Sequence, residues 1–274
     1  MPEGHTILRA ANLWNTLAGY PLKISSPQAR FTDEAKTLDG LSLIKAYAHG
    51  KHLFLYFPND KIVHIHLGLY GRHHWRPTPA PEPTATVRLR VEHPDGVIDL
   101  NGPNVCELLN SAQAQVIFDR LGPDPLKLET LPKEFLIKAT TLKMPVGRLL
   151  MEQSKIAGVG NVYRAEVLFI RGVSPYTLAK DISVSAWQGI WFATRDLMLH
   201  GVNHPRGIET IYAGSPRPVT LASNKVIVKD RGTYVYKRTG MPCLACNTLV
   251  VQEEFFGRTL YLCRVCQPAS ITAN

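Results

Sequence analysis

Two cysteine pairs near the C-terminus constrain the fold of this chain more than any other feature. Cys243-x-x-Cys246 and Cys263-x-x-Cys266 are separated by sixteen residues, which is enough for two short strands and a turn. This spacing lets four thiolates converge on one tetrahedral zinc ion, in a closed structural site with no position left for water. We therefore predict one structural Zn²⁺ held by a β-hairpin, and the alternative is four cysteines without a metal. The fifth cysteine, Cys106, is expected to be a small buried apolar residue.

The balance of charge indicates a polyanionic partner. Lys and Arg number 31 against 22 Asp and Glu, a formal net charge of +9. Nucleic acid is the first candidate partner and an anionic membrane surface the second. The 274 residues, 45% of them hydrophobic, are sufficient for one large or two modest domains and argue against a disordered chain. No apolar run is long enough to cross a bilayer and the N-terminus lacks a signal-peptide pattern, so we expect an intracellular protein.

Hydrophobic periodicity divides the chain into an N-terminal mixed part, a helical centre and the cysteine-rich end. Residues 5–18 carry a helical apolar stripe, and the short apolar runs that follow predict an antiparallel sandwich or barrel. A cluster of helix breakers at residues 121–125 indicates a domain junction. The predicted strands are 41–47, 52–57, 62–67, 86–92 and 97–100; the predicted helices after the junction are 145–153, 161–171 and 183–200; the predicted loops are 77–84 and 201–224.

Basic side chains recur through the cysteine-rich end. They are interrupted by aromatic residues, a combination that suits phosphate contact from a rigid hairpin. The alternative is a solvated surface around a zinc site. The basic residues are Lys229, Arg231, Lys237, Arg238, Arg258 and Arg264.

Glycines in the helical centre point to a second phosphate contact. Gly158 and Gly160 precede Asn161, where a helical pattern begins, and Lys155 and Arg164 lie nearby. Backbone N–H groups at a helix N-terminus attract anions, and glycines let that backbone approach a phosphate closely. The alternative is a plain turn between two helices.

The extreme N-terminus carries two adjacent residues that suit covalent catalysis. Removal of Met1 would expose the secondary amine of Pro2, which can attack an electrophilic carbon and form an iminium. An α-amino group has a pKa of about 7.7–8.0, well below that of lysine, so more of it is unprotonated at neutral pH. Glu3 is placed to move protons to and from the reacting groups. Without further support, a Met-Pro-Glu start carries no function.

Six motifs in order resemble the formamidopyrimidine-DNA glycosylase and endonuclease VIII family. The resemblance runs from residue 1 to about residue 268 and ends in the cysteine pairs. The motifs are Met-Pro-Glu-Gly at the start, Gly50-Lys51, His66-Leu-Gly-Leu-Tyr-Gly71, Leu121-Gly-Pro-Asp-Pro125, Ala157-Gly-Val-Gly-Asn161 and Gly257-Arg258.

The resemblance implies a DNA repair enzyme of α+β multi-domain fold. Its expected parts are a catalytic domain (1–125) with an N-terminal helix and antiparallel β-sandwich, a helix-two-turn-helix domain (126–225) and a four-cysteine zinc-finger β-hairpin (226–274), with DNA between the two halves. Pro2 then matches the nucleophile that releases the base and cuts the strand by β- and δ-elimination. Glu3 matches the acid–base residue, and Lys51 matches a lysine that contacts phosphate and assists the chemistry.

The resemblance also implies which residues hold DNA. Asn161 and Arg258 match the residues that grip phosphates flanking the flipped nucleotide, and Lys155 is a weaker candidate. A base must leave the duplex before it can react, and a side chain should fill the gap. Leu69 and Tyr70 match the void-filling loop, and their alternative is strand core.

Departures from the family pattern bear on the substrate. His5 and Thr6 stand where the family has other residues, Thr6 in place of an acidic one, and this start is similar to an actinobacterial endonuclease VIII-like subgroup. Residues 101–109 stand in place of the stretch that is typical of the branch acting on 8-oxoguanine. The absence of that stretch favours oxidised pyrimidines in DNA as the substrate.

Duplex DNA with an oxidised base or abasic site is the expected partner, and single-stranded or bubble DNA is a further candidate partner. One competing hypothesis is a non-catalytic or lyase-only clamp that binds damaged DNA but has lost base excision. Another is a general zinc-ribbon factor that binds RNA or DNA, which explains the charge and the cysteines but not the N-terminus. We expect a monomer in the bacterial cytoplasm at the nucleoid.

Overall fold

The computed structural model describes residues 2–203 and 232–268. The chain divides into two compact units, Met1–Arg120 and Leu121–Asn274. Most of the predicted loop at 201–224 lies outside the described residues, as do Lys229 and Arg231. Residues 201–203, at the start of that predicted loop, are helical, because the preceding helix runs further than its apolar stripe indicates.

The first unit combines helices with two antiparallel sheets. One sheet has the strand order β1-β6-β7-β5 and the other β2-β3-β4-β8. The elements are α1 (Gly4–Asn15), β1 (Lys23–Ser25), α2 (Thr32–Leu38), β2 (Lys45–His49), β3 (His52–Phe57), β4 (Lys61–His66), β5 (Arg72–Pro77), β6 (Val87–His93), β7 (Gly96–Asn101), β8 (Val105–Leu109) and α3 (Ser111–Phe118).

One hydrophobic core joins the two sheets and confirms the predicted sandwich. It contains Ile98 and Leu100 from one sheet, Leu53 and Leu55 from the other, and the apolar face of α1, including Trp14. α1 packs against β2 and β3. Because the core is shared, the N-terminal end of α1 is fixed to the sheet that carries Lys51 in its β2–β3 turn.

The differences from the predicted strands occur where apolar alternation is weak. β1, β5 and β8 carry few buried apolar side chains, so periodicity missed them, and it also missed α2 and α3. The strand expected over 41–47 begins only at Lys45, because Leu41 and Ser42 pair with the segment after α1. Residues 78–84 have no regular structure, as expected for the proline-rich loop.

The second unit is built around helices and ends in a hairpin. Its elements are α4 (Lys133–Ala139), α5 (Val146–Leu149), α6 (Asn161–Ile170), α7 (Val184–Asn203), β9 (Val251–Phe255) and β10 (Arg258–Leu262). All ten residues of α6 are buried, so this helix is the centre of the unit. Gly189 of α7 leaves room for a buried arginine, because a Cβ there would clash with the Arg171 guanidinium.

The helix expected over 145–153 is much shorter than its sequence pattern. Only α5 is helical, and its first backbone N–H groups bond to the carbonyls of Thr177 and Pro175. The following residues turn, with the Lys155 N–H donating to the Glu152 carbonyl at 2.8 Å. The helices predicted at 161–171 and 183–200 are confirmed. In the part of the chain that the structure describes, no helix combines the length and apolar character needed to span a bilayer.

Candidate functional site

The predicted nucleophile lies at the N-terminal end of α1. Pro2 is half-buried, and Glu3 caps the helix with an extended backbone and a buried side chain. The Glu3 carbonyl accepts from the N–H groups of Thr6 at 2.9 Å and Ile7 at 3.4 Å. The start of the helix therefore sets the position of Pro2, close to the positive end of the helix dipole.

The two residues that depart from the family pattern occupy the same first turn. His5 is buried, and burial, with the charge of Arg9, lowers its pKa to about 3, so it is neutral at physiological pH. The Thr6 hydroxyl lies 3.3 Å from His5 Nε2. No acidic residue stands in the first turn of α1. Glu3, immediately before that turn, is therefore the carboxylate nearest in sequence to Pro2.

Lys51 lies in the turn between β2 and β3, half-buried beside a row of histidines. His52 Nδ1 is 2.9 Å from His64 Nε2, and His64 Nδ1 is 2.8 Å from a Glu107 carboxylate oxygen. Burial, followed by the neighbouring histidines and Lys51, lowers the pKa of His52 to about 3. Burial also lowers the pKa of His64, so the row is neutral and packed across three strands, and its link to Glu107 leaves no pattern in the sequence.

Leu69 and Tyr70 lie in the turn between β4 and β5 and are 54% and 83% exposed. The turn is tight, because the Gly71 N–H bonds the Leu67 carbonyl at 2.9 Å and a Cβ on Gly71 would lie 2.5 Å from that oxygen. The alternative that this pair is strand core is therefore wrong. Two large apolar side chains project from a constrained turn, the form that a wedge between bases requires.

In the second unit, a glutamine organises the loop that leads to Asn161. The Gln153 amide donates to the carbonyls of Met151 and Val159, and its oxygen accepts from the Gly158 N–H at 2.9 Å. Lys155 is half-buried in this loop. The sequence gives no periodic signal for the role of Gln153, although it lies close to the glycine-bearing motif.

The structure brings Asn161 to the hairpin that carries Arg258. The Asn161 amide donates to the Thr259 carbonyl at 2.8 Å, and the Arg164 guanidinium donates to the same carbonyl at 2.9 Å. Arg164 also bonds the Asn161 side-chain oxygen. Arg258, next to Thr259, is exposed. The two predicted phosphate contacts, far apart in sequence, are thus joined through one backbone carbonyl.

A buried carboxylate fastens α6 to the segment before the cysteines. Glu166 accepts from the backbone N–H groups of Tyr234 at 2.6 Å, Val235 at 3.0 Å and Tyr236 at 2.9 Å. Burial raises the pKa of Glu166 to about 7, against the opposing effect of these three donors. Sequence reasoning assigned no role to Glu166, because a carboxylate that binds distant backbone leaves no local pattern.

The four paired cysteines converge as predicted. Their sulfur atoms all lie within 4.8 Å of one another, with Cys243 to Cys266 at 3.8 Å and Cys246 to Cys263 at 3.5 Å. Zn–S bonds of about 2.3 Å in a tetrahedron place sulfur atoms about 3.8 Å apart, so the donor set fits zinc. Among residues 2–203 and 232–268, this is the single group of three or more candidate ligands.

Cys106 lies apart from that group, in β8 of the first unit. It is partly buried, less so than predicted, but it packs against the sandwich core, and burial raises the pKa of its thiol to about 12. It therefore behaves as the apolar residue that its isolated position in the sequence predicts.

Comparison with known proteins decides the family. The formamidopyrimidine-DNA glycosylase N-terminal domain model matches residues 1–103, and the formamidopyrimidine-DNA glycosylase H2TH domain model matches residues 121–212. The chain is 38% identical to Endonuclease 8 1 of Mycobacterium tuberculosis over 97% of this chain and 100% of that protein. The chain belongs to the formamidopyrimidine-DNA glycosylase and endonuclease 8 family. It is thus a DNA glycosylase and abasic-site lyase of base excision repair.

More distant relatives agree with this assignment. Endonuclease 8 of Escherichia coli is 29% identical over 97% of this chain and 100% of that protein. A Lactococcus lactis Fpg structure in complex with abasic-site DNA shares the fold with a TM-score of 0.77, at 21% identity and 97% coverage of this chain and 99% of that one. The α+β fold, with its sandwich, H2TH domain and four-cysteine hairpin, is therefore confirmed.

Replacing one thiolate tests the metal assignment. Cys243→Ser should abolish binding of one equivalent of zinc and unfold the hairpin, because metal binding supplies roughly 10–16 kcal/mol in isolated zinc fingers. Zinc content and hydrogen exchange of the β9–β10 amides measure this, while the first unit stays protected. Cys106→Ala is the control and should keep its zinc. Full protection of the hairpin after zinc removal would contradict the assignment.

Substituting the buried carboxylate tests its anchoring role. Near pH 4.5, Glu166→Gln should destabilise the second unit by about 2–4 kcal/mol, because the amide nitrogen that replaces one side-chain oxygen cannot accept a backbone N–H. The raised pKa adds a pH dependence. Between pH 4.5 and about 7 the folded state binds more protons than the unfolded state. The contribution of Glu166 to the free energy of unfolding therefore declines as pH rises through this range, and it is constant above about pH 7.

Denaturant unfolding of both proteins from pH 4.5 to 8 measures the difference. The difference in free energy of unfolding between the wild type and Glu166→Gln should shrink as pH rises from 4.5 to about 7. Glu254→Gln, at an exposed position of the hairpin, is the control and should change neither stability nor its pH dependence. A pH-independent difference would show that Glu166 is ionised in both states.

Proposed function

We propose that this protein excises oxidised bases, above all pyrimidines, from DNA and nicks the strand at the resulting abasic site with Pro2 as nucleophile. The observation that carries this proposal is the position of Pro2 and the buried Glu3 at the N-terminal end of α1. The 38% identity to an Endonuclease 8, against 25% to a formamidopyrimidine-DNA glycosylase of Carboxydothermus hydrogenoformans, supports the pyrimidine branch.

In the proposed reaction, Met1 is removed and the neutral amine of Pro2 attacks C1′ of the damaged nucleotide. The positive end of the α1 dipole disfavours the ammonium form and so favours the nucleophile. The C1′–N bond to the base breaks, the base leaves with a proton, and an iminium joins Pro2 to the opened sugar. Glu3 is the group that exchanges protons with the sugar oxygen and the amine.

Strand cleavage follows from the same iminium. Loss of a C2′ proton expels the 3′ phosphate oxygen by β-elimination, and a second elimination expels the 5′ phosphate oxygen. Water then hydrolyses the iminium and restores the Pro2 amine. Lys51 is assigned to the phosphate beside the lesion, and its place in the β2–β3 turn, beside His52 and His66 whose pKa values are lowered by burial, supports this.

We assign DNA binding to the remaining predicted residues. Asn161 and Arg258, joined through the Thr259 carbonyl, suit two phosphates of one strand, with Lys155 in the adjoining loop. Leu69 and Tyr70 suit the gap left by a flipped nucleotide. Relatives solved with abasic-site DNA and with DNA containing an oxidised pyrimidine support this class of partner. Zinc is the proposed ion, and its role is to hold the hairpin.

A lyase without base excision is a second candidate function. Thr6 favours it, because no acidic residue stands in the first turn of α1 to assist in the lesion pocket. Cleavage of an abasic site needs only the amine, the carboxylate and the grip on phosphate. Incision of abasic-site DNA without incision of DNA carrying oxidised pyrimidines would select this candidate.

Borohydride trapping tests the proposed chemistry. Met-processed protein incubated with an abasic-site duplex and borohydride should form a covalent complex, because reduction converts the iminium into a stable amine. Mass spectrometry should locate the adduct on Pro2. Protein whose N-terminus is acetylated is the control and should give none. An adduct on a lysine, or none despite tight binding, would refute Pro2 as the nucleophile.

Removing one arginine tests the phosphate grip. Arg258→Ala should weaken binding to all sequences and reduce the slope of log K against log salt by about 1, because one phosphate contact is lost. Arg264→Ala is the matched control on the same hairpin, since Arg264 is already paired with Glu253 at 2.8 Å. An unchanged salt slope for Arg258→Ala would exclude Arg258 from the contacts.

A further inference from the structure

The tip of the β9–β10 hairpin carries an unusual residue. Phe255 pairs with Arg258, so Phe256 and Gly257 form a two-residue turn, both with left-handed backbones at φ +50° and +69°. Turns of this type favour Asn or Asp before Gly, because a bulky side chain is strained there. The turn itself therefore gives no reason for a phenylalanine at position 256.

Burial does not compensate for this strain. Phe256 is 57% exposed, and its ring meets Phe255 edge-on at a centroid distance of 4.8 Å. The Arg148 guanidinium lies over the Phe256 ring, 4.8 Å from its centre, and Arg148 Nε is fixed by Glu152 at 3.0 Å. An exposed aromatic ring is thus held in place by an oriented cation from α5.

A cavity of about 360 Å³ adjoins this ring within the second unit. Three arginines and one glutamate give it an excess of positive charge, and two aromatic rings give it planar apolar surface. Its lining residues are Arg148, Met151, Glu152, Arg164, Phe255, Phe256 and Arg258. Cationic groups beside an exposed ring match the two parts of a nucleotide, since phosphate binds arginine and every base has a face that can stack.

We propose that Phe256 and Arg148 form a stacking subsite for the nucleotide next to the phosphate that Arg258 holds. This inference rests on the proposed function, since it takes DNA as the ligand of Arg258. Phe256 supplies the surface on which the base or sugar stacks, and Arg148 orients the ring and adds positive charge. The subsite lies on the zinc hairpin, so it would hold the strand at a nucleotide beside the lesion.

Base-analogue fluorescence tests the subsite directly. Duplexes with a tetrahydrofuran abasic analogue carry 2-aminopurine at one of the two nucleotides on either side of it. Wild-type protein should quench the fluorescence at one of these positions. Phe256→Leu, which keeps apolar volume but has no ring, should lose that quenching and raise the Kd about tenfold, whereas Phe256→Tyr should keep both.

Two further variants separate stacking from structure. Leu249→Ala, at an equally exposed position of the same unit, should change neither quenching nor Kd. Arg148→Gln should reduce the quenching while the zinc content stays at one equivalent. If Phe256→Leu releases zinc, its loss of quenching could reflect an unfolded hairpin, and the quenching by Arg148→Gln then provides the test of the subsite. Quenching equal in wild type and Phe256→Leu, or lost only together with zinc, would overturn the proposal.

The outcomes distinguish this inference from the proposed function. Incision of natural abasic sites by the wild type reports on the Pro2 chemistry alone. Incision with unaltered quenching in Phe256→Leu would reject the subsite and leave the reaction standing. Ring-dependent quenching without incision would retain the subsite and reject the reaction.

Discussion

The second unit depends on one buried carboxylate. Glu166 sits in a helix whose every residue is buried, and it accepts three consecutive backbone N–H groups from residues 234–236. Those residues precede the cysteine pairs, so the hydrogen bonds attach the start of the hairpin segment to α6. At the N-terminal end of α6, Asn161 and Arg164 bond the Thr259 carbonyl of the hairpin. Helix and hairpin are therefore fixed to each other at two places.

This double attachment shows how a metal ion at the four cysteines would act at a distance. The cysteines hold the base of the hairpin, while Arg258 and Phe256 lie at its tip. A hairpin of two five-residue strands is marginal by itself, so its tip has a defined position only if the base is closed and the strands are anchored. A metal ion at the cysteines would supply the first condition, and α6 supplies the second.

The parts of this fold that sequence could predict are those with a dense local signal. The apolar stripe of α1 and the cysteine spacing each act over a short stretch of chain, and the structure confirms both. The sequence pattern did not predict strand β8, because its residues are mostly only partly buried and show no apolar alternation. The structural roles of Glu166 and Gln153 were not predicted for another reason. Their partners are backbone groups, which every sequence offers, and so nothing in the residue pattern identifies them. The predicted site residues themselves remain predictions in their roles, although the hairpin places two of them together.

The net charge of +9 overstates the positive surface that DNA would meet. Arg76 and Arg90 both pair with the buried Asp99, at 3.3 and 3.5 Å, and Arg164 is buried against Asn161. These cations serve the fold, because a buried charge must be paired or hydrogen-bonded. Exposed cations at the tips of turns, such as Arg258, differ from these: they stay hydrated in the free protein and are available to exchange water for phosphate. Affinity for DNA should therefore follow the placement of a few arginines and not the overall charge.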